Sequence, residues 1–128
     1  MFIVTSILSC TSINDKKSTQ DLTAAFEARD YDKALRLAMP LAEKGNAEAQ
    51  ALLGFLYIEG KGGLRSNNCE KGVAWIKKSV SQNNTNGIAL LALLQMQGVC
   101  VEKNEVESEE LLEKPGVKEA ARNLFMQM

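Results

Sequence analysis

The chain has 128 residues, 45% of them apolar and 24% charged, which allows one domain with one continuous core and not two. A formal net charge of −1 gives no reason to expect nucleic-acid binding, which normally shows as a basic domain. There is no histidine, so the commonest general base, the commonest metal ligand and the base of any Ser–His or Cys–His pair are all missing, and an enzyme is not expected.

Residues 1–20 read as a segment apart from a helical domain over residues 21–128. Phe2 to Leu8 is an apolar run far too short to span a bilayer. It fits the apolar part of a secretory signal, although the basic residues that should precede it are missing. Ile7-Leu8-Ser9-Cys10 resembles a bacterial lipobox, in which the cysteine is lipidated and becomes the mature N-terminus. Leu8 is bulkier than that motif usually takes. Cys10 is therefore the candidate lipidation residue, and Thr11 to Gln20 the flexible tether behind it. The other reading is a frayed apolar end with an ordinary cysteine, on a cytoplasmic protein.

The rest of the chain predicts an all-α fold of seven helices, over 20–29, 31–44, 47–59, 69–82, 86–97, 105–114 and 116–127. Aromatics are few at 5% while Ala and Leu abound, which favours helix over sheet. Pro40 falls inside the second helix and should kink it. Gly45 and Asn83 tolerate the left-handed conformation that ends helices. Asn68 is expected to cap the helix starting near Cys69, and Thr85 the one starting near Asn86. Pro115 suits the first turn of the last helix.

The segments repeat in register. Lys33 to Leu37 aligns with Lys71 to Trp75 at an offset of 38 residues, and Glu107 to Leu111 follows 36 further on. Ala51-Leu52-Leu53-Gly54 through Gly60 aligns with Ala89-Leu90-Leu91-Ala92 through Gly98, again at 38. Helix pairs at this spacing stack as a short α-solenoid, each pair covering its neighbour's apolar face. The small residues Ala51, Gly54, Ala89 and Ala92 let helices approach closely, with Leu37, Trp75 and Leu111 as large partners.

These residues resemble the Sel-one-like repeat family, a relative of the tetratricopeptide repeats. Leu53-Gly54, Tyr57, Gly60, Gly62, Lys71, Ala74-Trp75 and Lys78 follow the family pattern in order, with about two extra loop residues at Gly62-Gly63. A second, degenerate copy runs through Ala92, Gly98, Val101, Asn104, Ser108 and Leu111, with Gln95 in place of the tyrosine and Cys100 in place of the second glycine. The resemblance covers roughly residues 22 to 114. It implies a non-enzymatic adaptor with a protein partner, often exported in bacteria. Some small members serve as immunity proteins against type VI phospholipase effectors. The expectation is an envelope-anchored, periplasm-facing binding or inhibitory protein that meets a membrane only through its lipid; the alternative is a cytoplasmic assembly scaffold.

Several residues invite chemistry. Cys69 and Cys100 fall at loops of consecutive repeats, so they are candidates for a disulfide if the domain is periplasmic, which would leave Cys10 as the odd thiol; the other reading is two ordinary thiols. Three cysteines without histidine make no closed zinc site, and no metal or cofactor is expected. Gly60-Lys61-Gly62-Gly63 lacks the strand before it and the G-K-[ST] ending of a phosphate loop. Lys61, Arg65, Lys71, Lys77 and Lys78 make the middle repeat basic, and Glu102, Glu105, Glu107, Glu109, Glu110 and Glu113 make the next acidic. These are solvated faces, or poles that steer a charged partner. The concave face of the solenoid is the expected binding surface, with Gln50, Phe55, Glu59, Asn86, Leu93 and Gln97 as candidates on the first helices of each pair.

Overall fold

The computed structural model describes the backbone of residues 2–64 and 66–128, and the side chains from Asp15 onward with Arg65 left aside. Seven helices account for these residues: α1 (Phe2–Glu27), α2 (Tyr31–Glu43), α3 (Ala47–Glu59), α4 (Cys69–Ser81), α5 (Thr85–Gln97), α6 (Glu105–Leu112) and α7 (Val117–Gln127). The expected all-α solenoid is found, and six helices lie within a few residues of their predicted bounds.

One chemical device starts five of them. Asp30, Asn46, Asn68, Asn84 and Asn104 each accept a hydrogen bond through a side-chain oxygen from the N–H three residues on. That contact satisfies one of the orphan donors of a first turn. The expected cap at Thr85 is therefore corrected to Asn84: Thr85 is already the first helical residue, and the Asn84 side-chain oxygen accepts from the Gly87 N–H at 2.9 Å. Helix ends also repeat. Gly60 and Gly98 close α3 and α5 in the left-handed conformation, and Gly45 and Asn83 adopt positive φ after α2 and α4. Pro115 stands outside the last helix, whose N-cap is Gly116 at φ 79°. Pro40 sits near the C-terminal end of α2, which runs on to Glu43.

The first helix departs from expectation. It runs from Phe2, so the stretch expected as a tether is helical and its described part docks on the domain. Thr19 accepts a hydrogen bond from the Asn46 side chain at 2.9 Å, and Asp15 lies 3.6 Å from the Lys44 ammonium. Both contacts fix α1 to the connection between α2 and α3.

Helices α3 and α5 form the spine of the core. Nine of the thirteen residues of α3 are buried, from Ala49 to Ile58, and eight of thirteen in α5. Leu52, Leu53, Phe55 and Leu56 are at most 2% exposed. The α3–α4 crossing is tight at Gly54, where an added methyl would stand 2.6 Å from Ile76 Cγ1 and 2.8 Å from the Gly72 carbonyl oxygen. In the second pair the same positions carry Ala92 and Ser108, and the Ser108 hydroxyl donates to the Ala92 carbonyl at 2.8 Å. The expected large partners Leu37, Trp75 and Leu111 are half-buried and pack against this core.

Candidate functional site

The first helices of successive pairs, α1, α3 and α5, touch one another along the inner side of the solenoid. That side is the concave groove, and α7 lies in it. α7 packs along α5, and its far end reaches the start of the chain's own solenoid: Arg29 donates to the Met126 carbonyl at 3.0 Å, and Lys61 to the Gln127 carbonyl at 2.8 Å. The Tyr31 hydroxyl donates to the Gln127 side-chain oxygen. Cations at a helix C-terminus satisfy its free carbonyls and oppose its dipole.

Three aromatic rings back this clamp. Phe26 meets Phe55 edge-on at 5.1 Å between centroids and Tyr31 at 5.7 Å. The Lys61 ammonium stands 4.7 Å from the Tyr31 ring centre and 5.5 Å from that of Phe55. Such edge-on and cation–π contacts add to the simple burial of the rings. Burial pushes the Tyr31 phenol above its ordinary pKa, with the Glu59 carboxylate raising it further and the Arg29 guanidinium opposing. Beneath α7 a cavity of about 110 Å³ remains, lined from α1, α3, α5 and α7, among others by Phe26, Glu27, Glu48, Leu52 and Leu124.

This geometry revises the expected binding face. Gln50, Phe55 and Leu93 are 4%, 1% and 6% exposed, so none offers a surface. Gln50 is an internal brace, donating to the Ala42 carbonyl at 3.2 Å and accepting from Gln82 at 2.9 Å. Phe55 belongs to the aromatic cluster under α7. Asn86 is half-buried and donates to Glu48 at 2.6 Å; Glu59 is half-buried and Gln97 exposed. Of the residues that shape the groove as it stands, Arg29, Tyr31, Glu48 and Gln127 were not singled out by pattern, and Lys61 only for its glycine-rich loop and as part of the basic middle repeat. The one signal for them was α7 itself, a lone helix at the end of an array of pairs.

The cysteines and charges have their own places. Cys69 at the start of α4 and Cys100 in the α5–α6 loop are joined as a disulfide, with Cα atoms 5.2 Å apart. Cys100 adopts φ 62°, and its equivalent in the first pair is Gly62 at φ 80°. The side chain of Cys10 lies outside the described residues, as does Arg65. Of the basic residues, Lys61 lies over Tyr31 and Phe55, Lys71 over Tyr57 at 5.7 Å, and Lys78 over Trp75 at 4.6 Å. Much of that basic character is thus directed onto rings.

The internal symmetry extends to the loops. The Tyr57 carbonyl accepts from the Asn68 N–H at 2.7 Å, and the Gln95 carbonyl from the Asn104 N–H at 3.0 Å. Two units built alike, α3–α4 and α5–α6, coincide with two matches to the Sel1 repeat model, at residues 47–84 and 86–114. The chain belongs to the Sel1 repeat family. No curated protein matches it significantly. The Sel1 repeats cover the central four helices; α1 and α2 before them and α7 after them complete the array.

Proposed function

We propose that this chain is a non-enzymatic protein-binding module, held on the periplasmic side of a bacterial membrane by a lipid on Cys10, where it inhibits or escorts a protein partner. Stacked Sel1 repeats support the protein-binding part, because helix pairs sharing one buried seam leave extended faces for a partner. The location is carried by the pairing of Cys69 with Cys100. Disulfides persist in oxidising compartments and are rare where thiols are kept reduced. Cys10 is then the odd one of the three cysteines, the one a lipid would take.

The sharper form of the proposal is an immunity protein that occupies the surface of a secreted type VI phospholipase effector. Metabolic fatty-acid labelling tests the anchor: label on the wild type and none on Cys10→Ala is expected, and label surviving the substitution removes it. Non-reducing mass spectrometry of the exported chain should show one bridge; two free thiols at Cys69 and Cys100 would end the envelope reading. For the immunity role, cells lacking the gene should be killed by a lipase effector encoded beside it. Cells indifferent to that effector would leave only general protein binding.

A further inference from the structure

The groove already holds a helix, and that helix fills it incompletely. α7 buries Val117, Ala121 and Leu124, spaced so that one narrow stripe faces inward. Beside Leu124 the cavity of about 110 Å³ stays open, against Phe26 and Leu52. It opens to solvent beside the exposed Glu27 and Asn123. Glu27 and Glu48 line the same cavity as Asn123. Glu48 accepts hydrogen bonds from the Asn84 and Asn86 side chains, whereas exposed Glu27 has no ion-pair partner among the described residues.

The two ends of α7 differ in how they are held. Its N-terminus has no side-chain cap, unlike α2 to α6, and begins at the positive-φ joint Gly116. Its C-terminus is clamped by Arg29 and Lys61 through backbone carbonyls of Met126 and Gln127. Every helix end presents free carbonyls, so this clamp accepts a helix irrespective of its sequence.

We propose that α7 is a displaceable occupant, and that the groove receives in its place an amphipathic helix of the protein partner. That helix carries small apolar residues where Val117 and Ala121 lie, and Phe or Met at the place of Leu124 to fill the cavity. Lys or Arg stands at the place of Asn123, opposite Glu27. Arg29 and Lys61 take its terminal carbonyls. The inference rests on the protein-binding reading for its biological occupant, but the exchange of helices can be measured without that partner.

The probe is a fluorescein-labelled peptide of residues 115–128 carrying Asn123→Lys and Leu124→Phe, titrated into the full-length chain. Against a Leu124→Ser chain, whose own helix is weakened, the peptide should bind at least about 10-fold tighter than against the wild type. The unaltered 115–128 peptide should bind about 10-fold more weakly than the substituted one. In the wild-type chain, α7 amides should exchange about 100-fold faster than those of α3 and α5, and faster still with excess peptide. Absence of peptide binding by both folded chains overturns the proposal. If Leu124→Ser does not fold, the wild-type exchange decides: α7 amides exchanging at the rate of α5 overturn it. Either failure leaves a partner bound to an outer face untouched, whereas a chain that exchanges helices yet captures no protein would refute the protein-binding reading alone.

Discussion

The Cys69–Cys100 bridge sets the largest single stability difference expected in this chain. It closes a loop of 31 residues between the start of α4 and the α5–α6 loop. Chain-entropy reasoning puts the stabilisation from such a closure at about 3.5 kcal/mol. Against that stands the left-handed conformation of Cys100 at φ 62°, which costs a non-glycine residue about 1 kcal/mol. A Cys69→Ser, Cys100→Ser chain should therefore lose about 3–4 kcal/mol, seen as a fall of roughly 10 °C or more in Tm. A Cys69→Ser, Cys100→Gly chain should regain about 1 kcal/mol of it, because glycine adopts positive φ freely, as Gly62 does at φ 80° in the first repeat. Urea unfolding of the oxidised wild type and both variants gives the three values on one scale. Equal midpoints for oxidised and reduced wild type would refute the entropic reasoning, and a glycine variant no more stable than the serine variant would refute the conformational one.

Other positions give clean expectations. Gly54→Ala should cost about 2 kcal/mol despite the better helix former, because its methyl meets the fixed Gly72 carbonyl and Ile76, and differential unfolding reads the loss. Ser108→Ala removes the hydroxyl bond to Ala92 and should lower stability by about 1 kcal/mol in the same assay. Lys61→Ala should cost about 1 kcal/mol and raise amide exchange in α7 while leaving α3 unchanged. The raised pKa of Tyr31 means the folded chain holds that proton more tightly than the unfolded one. Its stabilising effect is complete below the ordinary phenol value and is lost as pH climbs through the raised one, so wild-type stability should fall more steeply above about pH 10 than that of Tyr31→Phe.

Much of the fold could be read because the punctuation repeats. Asn68 and the pair Gly45 and Asn83 marked helix ends correctly, since capping and left-handed turns depend on residues close in sequence. Phase was harder. α3 and α5 are buried nearly all round, so they carry no polar stripe to say which side faces the groove, and Gln50, Phe55 and Leu93 were assigned outward when they point inward. The return of α7 was illegible for a different reason. Val117, Ala121 and Leu124 announce that one side is covered, but the covering residues on α1 and α3 lie far away in sequence. Arg29 and Lys61 looked like ordinary surface cations until their carbonyl partners, 97 and 66 residues distant, were in place. The early part of α1 was taken as tether because Thr, Ser, Asn and Asp favour caps and turns over helix interiors when read without the tertiary contacts at Asn46 and Lys44.

The most direct test of the account is cross-linking of the full-length chain in living cells, followed by recovery from the membrane fraction. The account predicts one protein recovered in near-stoichiometric amount, joined through lysines bordering the groove such as Lys61. Recovery of the chain alone, or in a soluble fraction without a protein partner, would contradict it.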